Sequence, residues 1–433
     1  MMGAGMSNES SRDWDGRYEL RAITLIALGF GLVGIDRFMI MPLFPILMKD
    51  LNLTYPDLGR ITGALSVAWG VSALFMGNLS DRFGYRRVVV PAMISFSVLA
   101  GLSGLATGLV SMIAIRAVIG FAEGAYTPAS IVGTLRASKP GRHGLNIGLQ
   151  QAALPIFGLG ITPIAVTQLL KVVPWHWIFA MVTVPGLIIA WLLFRTLRDG
   201  EERPATGSVV DAIGGGNRGW KSVMNYWNIP LCMGGMLCWM TCNVVLHAFL
   251  PNYLTDYLHL SIGEMGFVLS GMGTGGMVGV LVMPALSDWI GRKPVMLISV
   301  VGALVFMILL MRAGPEPAAL FAYTAAVMAC TFSLITMTLG PVSTESVPTA
   351  LMSTATGLVV GVGEIFGGGV APMLSGYVAK HWGIQSIMVL PLGALVVGFA
   401  LVQMLRETAP GRLRDAGVRP PSQRKLRKHV ADR

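Results

Sequence analysis

Apolar residues in this chain do not alternate with polar ones at short spacing. They run in blocks of about 20 residues, with charged positions gathered in the gaps, and a block of that length suits an α-helix crossing a bilayer. Twelve blocks are legible, at 22–48, 59–79, 88–106, 110–134, 144–170, 176–194, 228–252, 262–286, 294–311, 317–340, 350–378 and 384–405. Each is expected to be helical, because lipid offers no partner for an unpaired backbone N–H or C=O. Several exceed the minimum length, which predicts tilt or broken ends. The fifth and eleventh are rich in Gly, Pro and polar residues.

Composition removes the alternatives. Hydrophobic residues make up 54% of the 433 positions and charged ones 12%, about half the charged share of a soluble domain. A soluble enzyme, a disordered chain and a nucleic-acid-binding protein are excluded, despite a pI near 9.7. The four cysteines, Cys232, Cys238, Cys242 and Cys330, lie inside apolar blocks, with no disulfide or metal-ligand spacing. No metal, cofactor, nucleotide-binding loop or nucleophile–base set is expected, so the chain does not read as an enzyme. The segment Met1–Glu19 lacks the apolar core of a cleaved signal peptide.

The excess of positive charge is a topology signal. Of 32 Lys and Arg residues, 25 fall in the N-tail, the C-tail and the loops after even-numbered blocks. Five fall on the opposite side, and Arg37 and Arg116 lie inside blocks. That bias predicts two cytoplasmic termini and an even number of spans. The longest hydrophilic stretch, 195–225, contains Gly214-Gly215-Gly216 and reads as a linker. The expected organisation is an N-tail (1–21), a six-helix bundle (22–194), a cytoplasmic linker (195–227), a second bundle (228–405) and a basic C-tail (406–433).

The two halves share a short motif. Gly77-Asn78-Leu79-Ser80-Asp81-Arg82-Phe83-Gly84-Tyr85-Arg86-Arg87 follows the second block, and Leu286-Ser287-Asp288-Trp289-Ile290-Gly291-Arg292-Lys293 follows the eighth. Leu, Ser, Asp and Gly recur in register, which suggests duplicated bundles rocking about a central site. Gly84 suits a tight turn between helices. The motif after the second span resembles the loop signature of the major facilitator superfamily, and the twelve-span layout extends the resemblance over the whole chain. The resemblance implies an all-α membrane fold of two pseudo-symmetric six-helix bundles. It also implies that Asp81 and Asp288, with Arg82, Gly84, Arg86, Gly291 and Arg292, form a conformational latch rather than a substrate site.

Five ionisable residues fall deep inside blocks: Asp36, Arg37, Arg116, Glu123 and Glu364. Charges at that depth usually face a cavity or a partner. Asp36 and Arg37 are adjacent, so on a helix they point about 100° apart. Arg116 and Glu123 lie nearly two turns apart on one face, about 10 Å along the axis, where a ligand, water or the first helix can bridge them. A carboxylate drawn toward neutrality by burial and toward charge by an arginine can load and release a proton near neutral pH.

Asp36-Arg37, with Arg116 followed by Gly120, Glu123, Gly124, Pro128 and Ala129, is similar to the anion:cation symporter branch. That branch includes sialin, the vesicular glutamate transporters and bacterial galactonate and hexuronate carriers. The resemblance implies Arg37 as substrate anchor, Asp36 and Glu123 as proton carriers and Arg116 as their coupling partner. The chain departs from the sugar-acid members at Gly34 and Ile35, before the Asp-Arg pair, and at Trp69, where a Tyr is common. Glu364, within the Gly-rich stretch Gly361–Gly369, stands near a frequent Asn. These departures favour a smaller or more apolar carboxylate. Glu364 is open between a third protonatable site, a hydrogen-bond acceptor for substrate and a cavity-facing residue without a transport role.

Trp239, Asn243 and His247 share one face at a spacing of four, and Gln150 and Gln151 are further polar candidates for a cavity wall. The expected function is proton-coupled symport of a small organic anion by a monomer in a bacterial inner membrane. The partners are the anion, protons and the lipid bilayer, with no nucleic acid. A drug/proton antiporter and a Na⁺-coupled anion carrier are the alternatives. The antiporter signature is incomplete here, because Gly158, Gly160 and Pro163 are followed by Ile164, Ala165 and Val166.

Overall fold

A computed structural model describes residues 15–139, 142–198, 222–348, 351–409 and 412, without the side chains of 74–83, 143, 144 and 353. The first 14 residues, most of the linker and most of the C-tail lie outside the described residues. Among the described residues, twelve helical rods follow one another: α1 (Gly16–Asp50), α2 (Tyr55–Phe83), α3 (Tyr85–Ser103), α4 (Leu109–Ala137), α5 (His143–Ala153, Leu154–Ile161 and Thr162–Leu169) and α6 (Trp175–Thr196). The rest are α7 (Asn228–Asn252 and Tyr253–Tyr257), α8 (Ile262–Ile290), α9 (Arg292–Arg312), α10 (Pro317–Met337, Thr338–Val342 and Ser343–Glu345), α11 (Met352–Val362, Gly363–Val370 and Ala371–Trp382) and α12 (Ile384–Met388 and Val389–Met404). Among the described residues, 11 of these are long and apolar enough to cross a membrane. The remaining rod, α2, has 29 residues, and its last part is where side chains are not described.

The peripheral rods show why the chain needs lipid. Trp177, Met181, Val184, Ile188 and Trp191 make an exposed stripe along α6, and Ile298, Val301, Val305 and Ile308 make one along α9. In water such stripes would be large unpartnered apolar patches. Facing hydrocarbon, they are where they belong.

Packing repeats with a shift of six helices. The pairs α2–α4, α3–α6 and α1–α5 recur as α8–α10, α9–α12 and α7–α11. The halves meet through α2–α11 and, by the same symmetry, α8–α5. Glycine permits the closest approaches: a methyl added at Gly124 would stand 2.6 Å from the Trp69 carbonyl oxygen. The Gly- and Pro-rich fifth and eleventh blocks become helices whose middle turns widen to π geometry, at Leu154–Ile161 and Gly363–Val370. Such turns are frequent at functional sites. Here they lie where α5 crosses α1 and α8, and where α11 crosses α7 and α2.

The motif turns take the conformation their glycines suggest. Gly84 joins α2 to α3 with φ 87° and ψ 138°, and Gly291 joins α8 to α9 with φ 110° and ψ 154°. Side chains rarely tolerate that region, at a cost of about 1–3 kcal/mol. A methyl at Gly84 meets nothing within 4 Å, so Gly84→Ala isolates the backbone term. We expect it to lower the thermal midpoint in detergent. Gly148→Ala, also in open space but inside α5, should be neutral or stabilising. Equal midpoints for the two variants would refute the strained turn.

Candidate functional site

A cavity of about 500 Å³ lies between the halves, within the size range of small-solute sites. Its wall draws on α1, α2, α4 and α5 from one half and α7, α8, α10 and α11 from the other. It reaches Ala73, Ile131, Leu339 and Thr354, toward the end of the bundle where α2 turns into α3 and α11 begins. At the other end Tyr55 Oη donates to Asp256 Oδ2 at 2.8 Å. There α2 and α11 also pack backbone to backbone, with a methyl at Gly63 only 2.6 Å from the Gly369 carbonyl oxygen. The cavity is therefore shut at the end that carries the α1–α2 and α7–α8 connections.

Arg37 and Asp36 part company as adjacent helical residues must. Arg37 projects into the cavity, with 11% of its side chain exposed. Its Nη2 donates to Glu364 Oε2 at 3.1 Å and contacts Ser66 Oγ at 3.5 Å. The guanidinium carbon lies 4.4 Å from the Trp69 ring centroid, a cation–π distance. Gly34, one turn earlier, has no room for a side chain: a methyl there would stand 2.7 Å from the Leu154 carbonyl oxygen. The absence of a polar residue before the Asp-Arg pair thus lets α1 press against the wide turns of α5.

Asp36 is fully buried and turns toward α4. Arg116 Nη1 donates to the Asp36 carbonyl oxygen at 3.0 Å and lies 3.7 Å from Asp36 Oδ2. The Glu123 carboxyl lies against that of Asp36, so the first helix bridges the two-turn gap between Arg116 and Glu123. No described donor bonds to a carboxyl oxygen of Asp36 or Glu123, and Arg116 Nε and Nη2 are likewise unpartnered. Buried acceptors without donors are costly. One proton placed between the two carboxyls would turn that pair into donor and acceptor.

The remaining candidates divide. Trp69, Asn243, His247 and Glu364 line the cavity, as does Arg116. The buried His247 ring meets Phe38 edge-on at 5.0 Å, and His247 Nε2 and Asn243 Oδ1 lack partners. Trp239 does not reach the cavity. Its Nε1 donates to Thr338 at 3.1 Å, and its ring fills the space left by Gly398. Gln150 also points elsewhere, accepting from Thr134 at 2.6 Å and donating to Ser130 at 2.7 Å on α4. Its neighbour Gln151 faces the cavity, with Oε1 unpartnered. Sequence patterning did not single out Ser66, Thr62, Phe332 or Thr354, which also line the wall. The Ser66–Trp69 spacing of three on α2 was the signal for the first of these.

Among the described residues, no loop-motif side chain lines the cavity. Arg292 pairs with Asp288 at 2.5 Å and with Glu345, at the end of α10, at 2.9 Å. Glu407 accepts from the backbone N–H groups of Arg292 and Lys293 at 2.8 and 3.1 Å. Arg86 donates to the Phe194 carbonyl on α6 at 2.6 Å. The side chains of Asp81 and Arg82 lie outside the described residues. The cysteines are buried and unpaired, and among the described residues no cluster of three His, Cys, Asp or Glu is placed to hold a metal.

The Major Facilitator Superfamily profile matches residues 26–368. The chain is 23% identical over 396 residues to the sialic acid transporter NanX of Escherichia coli (strain K12), covering 86% of this chain and 92% of that protein. It is 25% identical over 420 residues to the probable 4-methylmuconolactone transporter of Cupriavidus pinatubonensis (strain JMP 134 / LMG 1197), covering 91% and 92%. Among solved structures, an inward-facing, unoccupied bacterial homolog of the human lysosomal transporter Spinster superposes with a TM-score of 0.75 at 14% identity, covering 91% of this chain and 98% of that one.

Proposed function

The chain belongs to the major facilitator superfamily, and from that premise we propose that it is a proton-coupled symporter importing a small organic carboxylate by alternating access. The observation that carries this reading is Arg37 on the cavity wall. Among the described residues, the Arg, Lys, Asp and Glu side chains that line the cavity are Arg37, Arg116 and Glu364, in an otherwise largely apolar surface, and Arg116 is also held by the buried Asp36. An arginine fork that faces a largely apolar cavity favours a carboxylate over the cationic cargo of a drug antiporter. Trp69, Phe38, Phe332, Met236 and Met240 on the same wall suit an aromatic or short-chain carboxylate better than a sugar acid. Relatives named for sialic acid and 4-methylmuconolactone are consistent with a small organic solute.

In this scheme Arg37 anchors the substrate carboxylate, with Trp69, Asn243 and His247 around it. Asp36 and Glu123 carry the proton, and Arg116 couples them. The Asp81 and Asp288 loops latch the rocking halves. In this reading the cavity's open end and both termini face the cytoplasm of a bacterial inner membrane, and the surplus of Lys and Arg on that side supports the orientation. The structure then corresponds to an inward-facing carrier. In this reading the carrier works as a monomer and without nucleic acid.

The test has two steps. A thermal-shift screen of carboxylates against the purified protein identifies a stabilising solute. In proteoliposomes that solute should accumulate under an inward proton gradient and cease to do so with a protonophore. Uptake driven equally well by Na⁺ at fixed pH, without pH dependence, would overturn proton coupling.

A further inference from the structure

Glu364 has no place in the proton relay of Asp36, Glu123 and Arg116, yet it is the cavity-wall carboxylate that meets the anchor directly. The Arg37–Glu364 pair spans 327 residues of sequence and ties α1 of one half to α11 of the other. Both side chains are 11% exposed and both line the cavity. Among the described hydrogen bonds between the halves, it is the one made inside the cavity; the Tyr55–Asp256 bond and the Asn252–Met48 contact lie at the closed end.

The contact is one-sided. Arg37 offers Nη2 alone to Glu364 and to Ser66, and its other guanidinium nitrogens make no protein hydrogen bond among the described residues. A carboxylate that approached the fork squarely would make two parallel bonds, a stronger arrangement. Glu364 is held short of that by its place in the wide turns of α11. There Ile365 and its own Cβ abut Gly70 of α2, and Gly363 abuts Met236 of α7.

We propose that Glu364 is a tethered stand-in for the substrate: its carboxylate occupies the Arg37 anion site in the empty carrier, and an incoming carboxylate must displace it, breaking the ion pair that joins the halves across the cavity. This rests on the carboxylate reading above and deepens it, since it names what the substrate competes with. It also gives the empty carrier an anion on Arg37, so that the arginine is not left unpaired in a largely apolar cavity. Substrate binding and release of the inter-half pair become one event. A solute that reaches Arg37 without a carboxylate cannot replace the bond it breaks, so Glu364 also acts as a selectivity filter.

The test uses the full-length protein in detergent, with two variants, Glu364→Gln and Glu364→Asp. p-Hydroxyphenylglyoxal modifies accessible guanidinium groups, and the Arg37-bearing peptide is followed by mass spectrometry, with benzoate as the protecting carboxylate. Arg37 should be modified several-fold faster in Glu364→Gln than in the unaltered protein, and benzoate should protect it at a several-fold lower concentration. Glu364→Asp, which keeps the charge on a shorter arm, should fall between the two and gives the answer if the Gln variant does not fold. Equal modification rates and equal protecting concentrations would overturn the proposal while leaving the carboxylate reading intact. Faster modification in the variants with no protection by benzoate, nor by the carboxylate from the thermal-shift screen, would overturn both, reducing the pair to a static clamp.

Discussion

Arg37→Lys should weaken binding of the transported carboxylate by roughly 10- to 150-fold, the equivalent of the 1.5–3 kcal/mol typical of one hydrogen bond to a charged group. The charge is unchanged by the substitution, so a merely electrostatic role for position 37 predicts almost no effect. The structure gives two reasons for a large one. Arg37 makes its protein contacts through Nη2 and leaves the rest of the fork toward the cavity. Its flat face also lies 4.4 Å from the Trp69 ring centroid. An ammonium group is a compact point charge that cannot grip a carboxylate with two parallel bonds, and it is more strongly hydrated than a guanidinium. The lysine variant should therefore lose both the bidentate grip and the stack. Ser66→Ala is the control. Its hydroxyl touches Nη2 only at 3.5 Å, so its effect on affinity should be within a few-fold. Isothermal titration with the carboxylate from the thermal-shift screen measures both. An affinity for Arg37→Lys within two-fold of the original would remove Arg37 as the anchor.

How far the sequence carries depends on which contacts are local. The twelve rods follow from block length alone, because lipid leaves a backbone few choices. The Gly84 and Gly291 turns were legible because only glycine adopts their φ values without strain. The divergence of Asp36 and Arg37 follows from helical geometry, as does the common face of Arg116 and Glu123. What crosses between helices is another matter. Helical spacing puts Trp239, Asn243 and His247 on one face, but the indole is wide enough to swing to Thr338 and fill the gap at Gly398. Gln150 and Gln151 are indistinguishable in composition, and only the packing of α5 on α4 decides that Gln150 bonds Thr134 and Ser130 while Gln151 meets the cavity. The Arg37–Glu364 pair was out of reach because no periodicity links α1 to α11. Glu345 and Glu407 were missed for the same reason: they lie 53 and 115 residues from the Arg292 groups they bind.

Glu123→Gln separates binding from coupling, and it should leave exchange intact while abolishing accumulation. In the unaltered protein the Glu123 and Asp36 carboxyls lie together without a donor between them. Glutamine has nearly the same shape and brings an amide N–H₂ to that place, so it imitates the protonated acid permanently. The loaded carrier needs that proton to move, and the imitation should let it move. The empty carrier is where the variant fails, because accumulation requires the proton to be released inside before the carrier returns, and an amide has none to release. One pH unit of gradient is worth about 1.4 kcal/mol per proton, enough for roughly tenfold accumulation. In Glu123→Gln that ratio should fall to about one. Counterflow, which needs only the loaded carrier to cross in both directions, should stay within a few-fold of the original rate on the same proteoliposomes. Arg116 enters through Asp36, which it touches at the carbonyl oxygen and approaches at Oδ2, and it does not bond Glu123 directly. The substitution should therefore leave the Arg116–Asp36 contact in place, so that a loss of both counterflow and accumulation would indicate a folding defect. If Glu123→Gln still concentrates the carboxylate with unaltered pH dependence, Glu123 is structural, and the proton must ride on Asp36 or Glu364.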